Sequence, residues 1–167
     1  VANYFVFIVG VFQYWLMRIM KFIADAMLGK LAKRMRMLGF DVLYDPACED
    51  NEVLRLSLEQ GRIILTRDTG LASRPLAQNH ILIGSELVDE QITQVLGLAS
   101  PPDGGPLTRC SLCNVPLSML DRMNARDLVP DHVFATVREY WRCGKCGRVY
   151  WKGSHVRNMS RRRNILT

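Results

Sequence analysis

Four short apolar runs constrain this chain most. KFIAD at 21–25, DVLYD at 41–45, RIILT at 62–66 and HILIG at 80–84 are too short for helices and do not alternate as strands with one wet face would. They read as strands buried on both faces. Longer stretches with helical period lie between them. In AMLGKLAKRMRMLGF, Leu28, Leu31, Ala32, Met35 and Leu38 fall at i, i+3, i+4, i+7 and i+10, and Gly39 ends the pattern. Asp50 stands where an N-cap would, opening a helix from Asn51 to Gln60 that Gly61 stops. A short helix follows the third run, and Leu87 to Leu98 forms the last, with Val88, Ile92, Val95 and Leu96 on one side. This alternation predicts an α/β fold, a parallel sheet with helices on both faces. SPPDGGP, residues 100–106, then reads as a linker.

The rest of the chain carries a different signal. Four of the five cysteines form two matching pairs, Cys110-Ser-Leu-Cys113 and Cys143-Gly-Lys-Cys146. Each pair offers two thiolates from one tight turn, and two such turns complete a tetrahedral Zn²⁺ site with every position filled by protein, hence a structural zinc. The 29 residues between Cys113 and Cys143 exceed a minimal ribbon and leave room for inserted strands. Redox chemistry is the rival for a CxxC, but two copies in a basic context suit structure better. Thiolate zinc sites fit a reducing compartment, and the cytoplasm is the expected location. Cys48 stands alone as a bystander, and His132 and His155 read as surface residues.

A length of 167 residues suits one domain plus a small module, and 49% hydrophobic residues exclude global disorder. The net charge of +6 is concentrated late: from Arg138 to Arg163 there are nine Lys or Arg and one acid, Glu139. Such a stretch suits a polyanion, nucleic acid first and an anionic membrane second. Tyr140, Trp141, Tyr150 and Trp151 interleave with Arg142, Arg148 and Lys152, which fits either a surface for single-stranded RNA or the small core of a ribbon. The apolar start, VANYFVFIVGVFQYWLM, is shorter than a membrane span and has no cleavage site after it. It reads as a membrane-associated segment, an extra packed element, or, the favoured reading, translation of sequence ahead of a start at Met17 or Met20.

Three acids fall at one edge of the expected sheet. Ligands of parallel α/β sheets bind outside the carboxyl ends of the strands. Asp25 ends the first strand, Asp68 lies two residues past the third, and Asp50 opens a helix on that same edge. Asp50 could simply cap its helix and Asp68 could simply make an Asx turn. Asp25, at the tip of a buried strand, needs a partner to offset desolvation, and a divalent cation would serve. Hard carboxylate oxygens suit Mg²⁺ or Mn²⁺, ions that activate water for phosphodiester hydrolysis. Lys30, Lys33, Arg34 and Arg36 lie off the apolar stripe of the first helix, and Arg67 precedes Asp68. Beside metal-binding acids, Lys30, Lys33, Arg34 and Arg67 would hold phosphates.

FIADAMLGKLAKRMRMLGFDVLYD, the Asp50-Asn51-Glu52-Val53-Leu54 turn, GRIILTRDTGL, RCSLCN and YWRCGKCGRVYWKGSH together resemble the PIN-like ribonucleases, closest to the Mut-seven C-terminal RNase domain. The resemblance covers about residues 20–159. It implies a PIN-like three-layer α/β/α sandwich and metal-dependent RNA cleavage. The family's acids carry over to Asp25, to Asp50 with Glu52 beside it, and to Asp68. A fourth acid has no clear counterpart; Glu86 and Asp89 are the candidates. The expected organisation is an apolar extension over 1–19, a nuclease domain over 20–99, a zinc ribbon over 107–159 and a basic tail over 160–167. The competing readings are a non-catalytic RNA-binding or ribosome-associated module, a receiver-type phospho-acceptor domain, and a protein tethered to a membrane through residues 4–17. A receiver fold would want an acid pair where Asp25 is single.

Overall fold

A computed structural model describes residues 20–102 and 105–153. The expectations for residues 1–19, His155 and the basic tail fall outside the described residues. The first unit is a four-stranded parallel sheet of β1 (Lys21–Ala24), β2 (Asp41–Tyr44), β3 (Ile63–Thr66) and β4 (His80–Leu82), in the order β2-β1-β3-β4. Four helices serve it: α1 (Gly29–Met37), α2 (Asp50–Gln60), the single turn α3 (Thr69–Ala72) and α4 (Val88–Leu96).

The side-chain period of the strands divides the core in two. Phe22 and Ala24 face one way, into a cluster with Leu28, Leu31, Ala32, Met35 and Leu38 around α1 and with Val95 of α4. Ile23 and Ile64 face the other way, against Val53 and Leu54 of α2 and Leu71 of α3. Helices therefore cover both faces, as the unbroken apolar runs require. The apolar stripe foreseen for the first helix is the one that is buried, although the helix enters through a 3₁₀ turn, Ala26–Leu28.

The second unit is an antiparallel sheet, β5 (Leu117–Leu120), β6 (Tyr140–Cys143) and β7 (Val149–Trp151), in that order. The insert between the cysteine pairs is not made of strands alone. After β5 come α5 (Arg122–Ala125), a 3₁₀ turn and α6 (Asp131–Thr136). They form a small core of their own, in which Ala125, Val129 and Val133 pack on the fully buried Tyr140. Tyr150 is also buried, beside Cys110 and Cys143, while Trp141 and Trp151 are half-buried. The aromatics of this unit are thus largely its mini-core.

The two units are in contact. Gly39, which ends α1, has φ of +99°, and a Cβ there would sit 2.8 Å from Thr108 Oγ1 and 3.1 Å from the Gly105 carbonyl. Both the left-handed backbone and the close approach demand glycine. The Leu107 amide donates to the Met37 carbonyl at 2.9 Å.

Candidate active site

The carboxyl edge of the parallel sheet carries the acids foreseen from the sequence. Asp25 directly follows β1 and is 7% exposed. Its Oδ1 accepts from the Ala26 amide at 2.5 Å, and its Oδ2 accepts from the Thr66 hydroxyl at 2.7 Å. The partner expected for a buried Asp25 is supplied in part by these two protein donors. Thr66, the fully buried last residue of β3, links two acids. Its Oγ1 also accepts from the Asp68 amide at 2.9 Å. The Asp68 Oδ1 in turn accepts from the Gly70 amide at 2.7 Å and caps α3. The turn reading of Asp68 is thus correct in geometry, and it leaves Oδ2 without a donor among the described residues.

Asp50 stands apart from this pair. It is the first residue of α2 rather than its cap; Glu49 holds the cap position and makes no side-chain cap bond. Asp50 Oδ2 pairs with Arg74 at 2.9 Å, and Arg74 also donates to Asn51 Oδ1 at 2.8 Å. Glu52 is turned to solvent and clamps Arg55 through two contacts of 2.6 and 2.7 Å. Asp25 and Asp68 are brought together through Thr66. Asp50 is held to the α3 side by Arg74.

On the α1 and α4 side of the same edge lies a cleft of about 420 Å³, with Lys30, Lys33, Tyr44, Arg67, Glu86 and Gln91 among its walls. Lys30 and Lys33 are exposed. Tyr44 donates to the Ala26 carbonyl at 3.0 Å, and its ring lies so close to Gly29 that a Cβ there would meet its hydroxyl at 2.5 Å. Arg67 pairs with Glu86 at 2.8 Å, and Arg34 pairs with Asp89 of α4. Both candidates for a fourth acid are thus salt-bridged to residues foreseen as phosphate contacts. Arg36, read from sequence as part of the basic face, is instead 4% exposed and points away from this edge. Its guanidinium donates to the carbonyls of Val42, Ser111 and Leu112 at 2.8, 3.2 and 2.8 Å.

A family model, the Mut7-C RNAse domain, matches residues 20–163, most of the chain. The chain belongs to this family. No curated protein and no solved structure gives a significant match to it. The match extends through both sheets, so the cysteine module falls within the Mut7-C region rather than outside it.

Within this Mut7-C chain, one group of at least three His, Cys, Asp or Glu among the described residues has all its ligand atoms within 4.8 Å of one another: Cys110, Cys113, Cys143 and Cys146. The acids at the sheet edge do not converge so closely. The two knuckles are built alike. The Asn114 amide donates to the Cys110 carbonyl at 3.0 Å and the Gly147 amide to the Cys143 carbonyl at 2.9 Å. The residue after each second cysteine is left-handed, Asn114 at φ 62° and Gly147 at φ 72°, conformations that Asn and Gly tolerate best. The Cys113 amide donates to Cys110 Sγ at 3.3 Å and the Cys146 amide to Cys143 Sγ at 3.4 Å.

Cys110 is fully buried, with its Sγ 3.1 Å from the Tyr150 hydroxyl. Burial opposes its ionisation, but hydrogen bonds from Tyr150 and the backbone outweigh that and bring its pKa to about 6. Burial and hydrogen bonds with Cys146 and Cys110 push Cys113 up to about 12. The set is a closed, four-sulfur arrangement able to hold a zinc ion.

Sequence reasoning missed Thr66, Arg74 and Asn114. Thr66 was legible in principle, since a β-branched hydroxyl at a strand tip two residues before an acid can bridge to it. Arg74 and Asn114 gave no such local signal.

Proposed function

We propose that this chain is a cytoplasmic ribonuclease that cleaves single-stranded RNA with Mg²⁺ or Mn²⁺ and carries a structural Zn²⁺. The observation that carries the reading is the Asp25–Thr66–Asp68 arrangement, in which the Thr66 hydroxyl bonds both the Asp25 carboxylate and the Asp68 backbone amide at one strand edge, beside a cleft walled by Lys30, Lys33 and Arg67. The donor set fits a hard cation. Among the described residues Asp68 Oδ2 and Asp50 Oδ1 accept no hydrogen bond, and Mg²⁺ is commonly held by one or two carboxylates with water completing its shell. Acids that do not converge to direct-contact distance suit such a water-mediated site. A bound ion would supply an activated water and neutralise charge on the phosphate.

The residues of the chain divide the remaining work. Asp25 and Asp68 hold the ion, with Thr66 fixing the Asp25 carboxylate and the Asp68 backbone, and the Gly70 amide fixing the Asp68 carboxylate. Asp50, paired with Arg74, is the third acid of this reading. Lys30 and Lys33 hold phosphates by charge. Arg67 and Arg34 contribute to the same field, each balanced by a partner, Glu86 and Asp89. Cys110, Cys113, Cys143 and Cys146 hold zinc and fold the ribbon of residues 107–159.

The test is cleavage of single-stranded RNA by the full chain with Mn²⁺, beside an Asp25→Asn, Asp68→Asn double variant. Cleavage by the wild type alone supports the reading. Equal cleavage by both would identify a contaminant. RNA binding without cleavage in both would favour the non-catalytic, ribosome-associated alternative.

A further inference from the structure

The first knuckle does more than present two thiols. Between Cys110 and Cys113 lie the carbonyls of Ser111 and Leu112, which accept from the buried guanidinium of Arg36 on α1. Directly after Cys113, the left-handed turn aims the Asn114 side chain at β2. Its Oδ1 accepts from the Val42 amide at 3.1 Å, and its Nδ2 donates to Asp41 Oδ1 at 2.8 Å. Arg36 Nε completes the circuit on the Val42 carbonyl. Knuckle, helix and strand thus share one network, to which the Cys-x-x-Cys loop contributes the Ser111 and Leu112 carbonyls and the turn after it the Asn114 side chain.

Charge points the same way. Zinc held by four thiolates carries a formal charge of −2, and Cys110 and Cys143 are fully buried. Such a centre, with two of its sulfurs fully buried and Cys146 exposed, is stabilised by a counter-charge on its buried side. Arg36, from the other unit, is a buried cation facing this loop.

The path continues towards the acids. Arg36 shares α1 with Lys30 and Lys33. Val42 lies two residues before Tyr44, whose hydroxyl holds the Ala26 carbonyl next to Asp25.

We propose that zinc at the four cysteines fixes the order of α1 and β2 in the α/β unit, with Arg36 and Asn114 as the positioning residues that couple them. Coupling of this kind is reciprocal: if zinc orders α1 and β2, these elements strengthen zinc binding by the same factor. The inference rests on the zinc reading and not on the nuclease reading.

Two measurements on the full chain test it. Metal analysis establishes whether zinc is present, and hydrogen exchange is followed with and without a chelator. Zinc removal is expected to raise exchange about tenfold or more at the Val42 and Leu107 amides, while Val53 and Leu54 on the far face hold their protection. The second measurement is zinc affinity by competition with a chromophoric chelator, in Arg36→Met and Asn114→Gly. The latter keeps the left-handed backbone and serves if the arginine variant does not fold. Each is expected to weaken zinc about tenfold, the range for residues that support metal ligands from outside. Unchanged exchange at Val42 on zinc removal, or unchanged zinc affinity in both variants, overturns the coupling. Absence of zinc overturns the zinc reading with it. Failure to cleave RNA alters neither measurement.

Discussion

Asp25 and Asp41 sit at opposite ends of adjacent parallel strands, and their surroundings differ in kind. Asp41, at the amino edge, is enclosed by donors that carry charge or come from the other unit. It accepts from Arg62 and Asn114 at 2.8 Å each and pairs with Arg109 at 3.5 Å. Burial opposes its ionisation, but hydrogen bonds from Arg62 and Asn114, with the charges of Arg62 and Arg109, hold its pKa below the usual carboxylate range. Asp25, at the carboxyl edge, has two neutral donors, and among the described residues no cation pairs with it. A carboxylate saturated by cations is structural cement. Asp25 is instead oriented by neutral donors, with the basic residues Lys30 and Lys33 in the next cleft. The same sheet thus uses its amino edge to join the two units, while the proposed chemistry belongs to its carboxyl edge.

Exchanging charge for amide at the two ends probes this contrast most strongly. Asp25→Asn should lower RNA cleavage on the order of 10²–10⁴-fold, as for loss of a positioned catalytic group. Its stability should change little, because the amide oxygen can still accept from Ala26 and the Thr66 hydroxyl can rotate to accept from the new NH₂. Asp41→Asn should do the reverse, costing about 2 kcal/mol in urea unfolding while cleavage per folded molecule stays near wild type. If Asp41→Asn abolishes cleavage in folded protein, the division between the edges is wrong.

A smaller effect is expected from the cleft. Lys30→Ala with Lys33→Ala should raise KM several-fold and flatten the dependence of RNA binding on log salt by about 1.4, from about 0.7 per phosphate contact on a single strand. An unchanged slope would remove these lysines from the interface.

The smallest effect is in acid. Because the folded-state pKa of Asp41 is depressed, its stabilisation is fully present above its unfolded value of about 3.9 and is lost as pH falls through the folded value. The stability gap between wild type and Asp41→Asn should therefore hold from pH 7 to about 5 and narrow below about 4. A gap that persists at pH 3 would mean that packing, not charge, is what the aspartate provides.

The legible parts of this structure were those written in local pattern. Leu28, Leu31, Ala32, Met35 and Leu38 announce a buried stripe because helical period is a property of neighbours in sequence. The cysteine pairs announce themselves by spacing, and the strand tips place Asp25 and Asp68 on one rim by topology alone. What stayed hidden depends on distant partners. Arg36 belongs by spacing to a solvated basic run, yet its acceptors lie 75 and 76 residues further on, in the first knuckle. Asp50 looks like a cap because Asp commonly is one, but Arg74, 24 residues away, claims its carboxylate. The fold followed from periodicity; the neutralisation of charges did not, since any surplus cation can serve any acid until the chain is folded.

The arrangement at Val42 also bears on where the chain can be divided. β2 is the outer strand of its sheet, and both groups that Val42 turns outward are taken up, the amide by Asn114 and the carbonyl by Arg36. Ending the chain at the proline-rich stretch near residue 100 would remove Asn114 and the carbonyls that help anchor Arg36. The cut would expose an unpaired strand border, the template on which proteins add one another's strands and aggregate. The cysteine knuckle is thus also a guard on solubility, and a tidy boundary in the sequence is a poor place to cut.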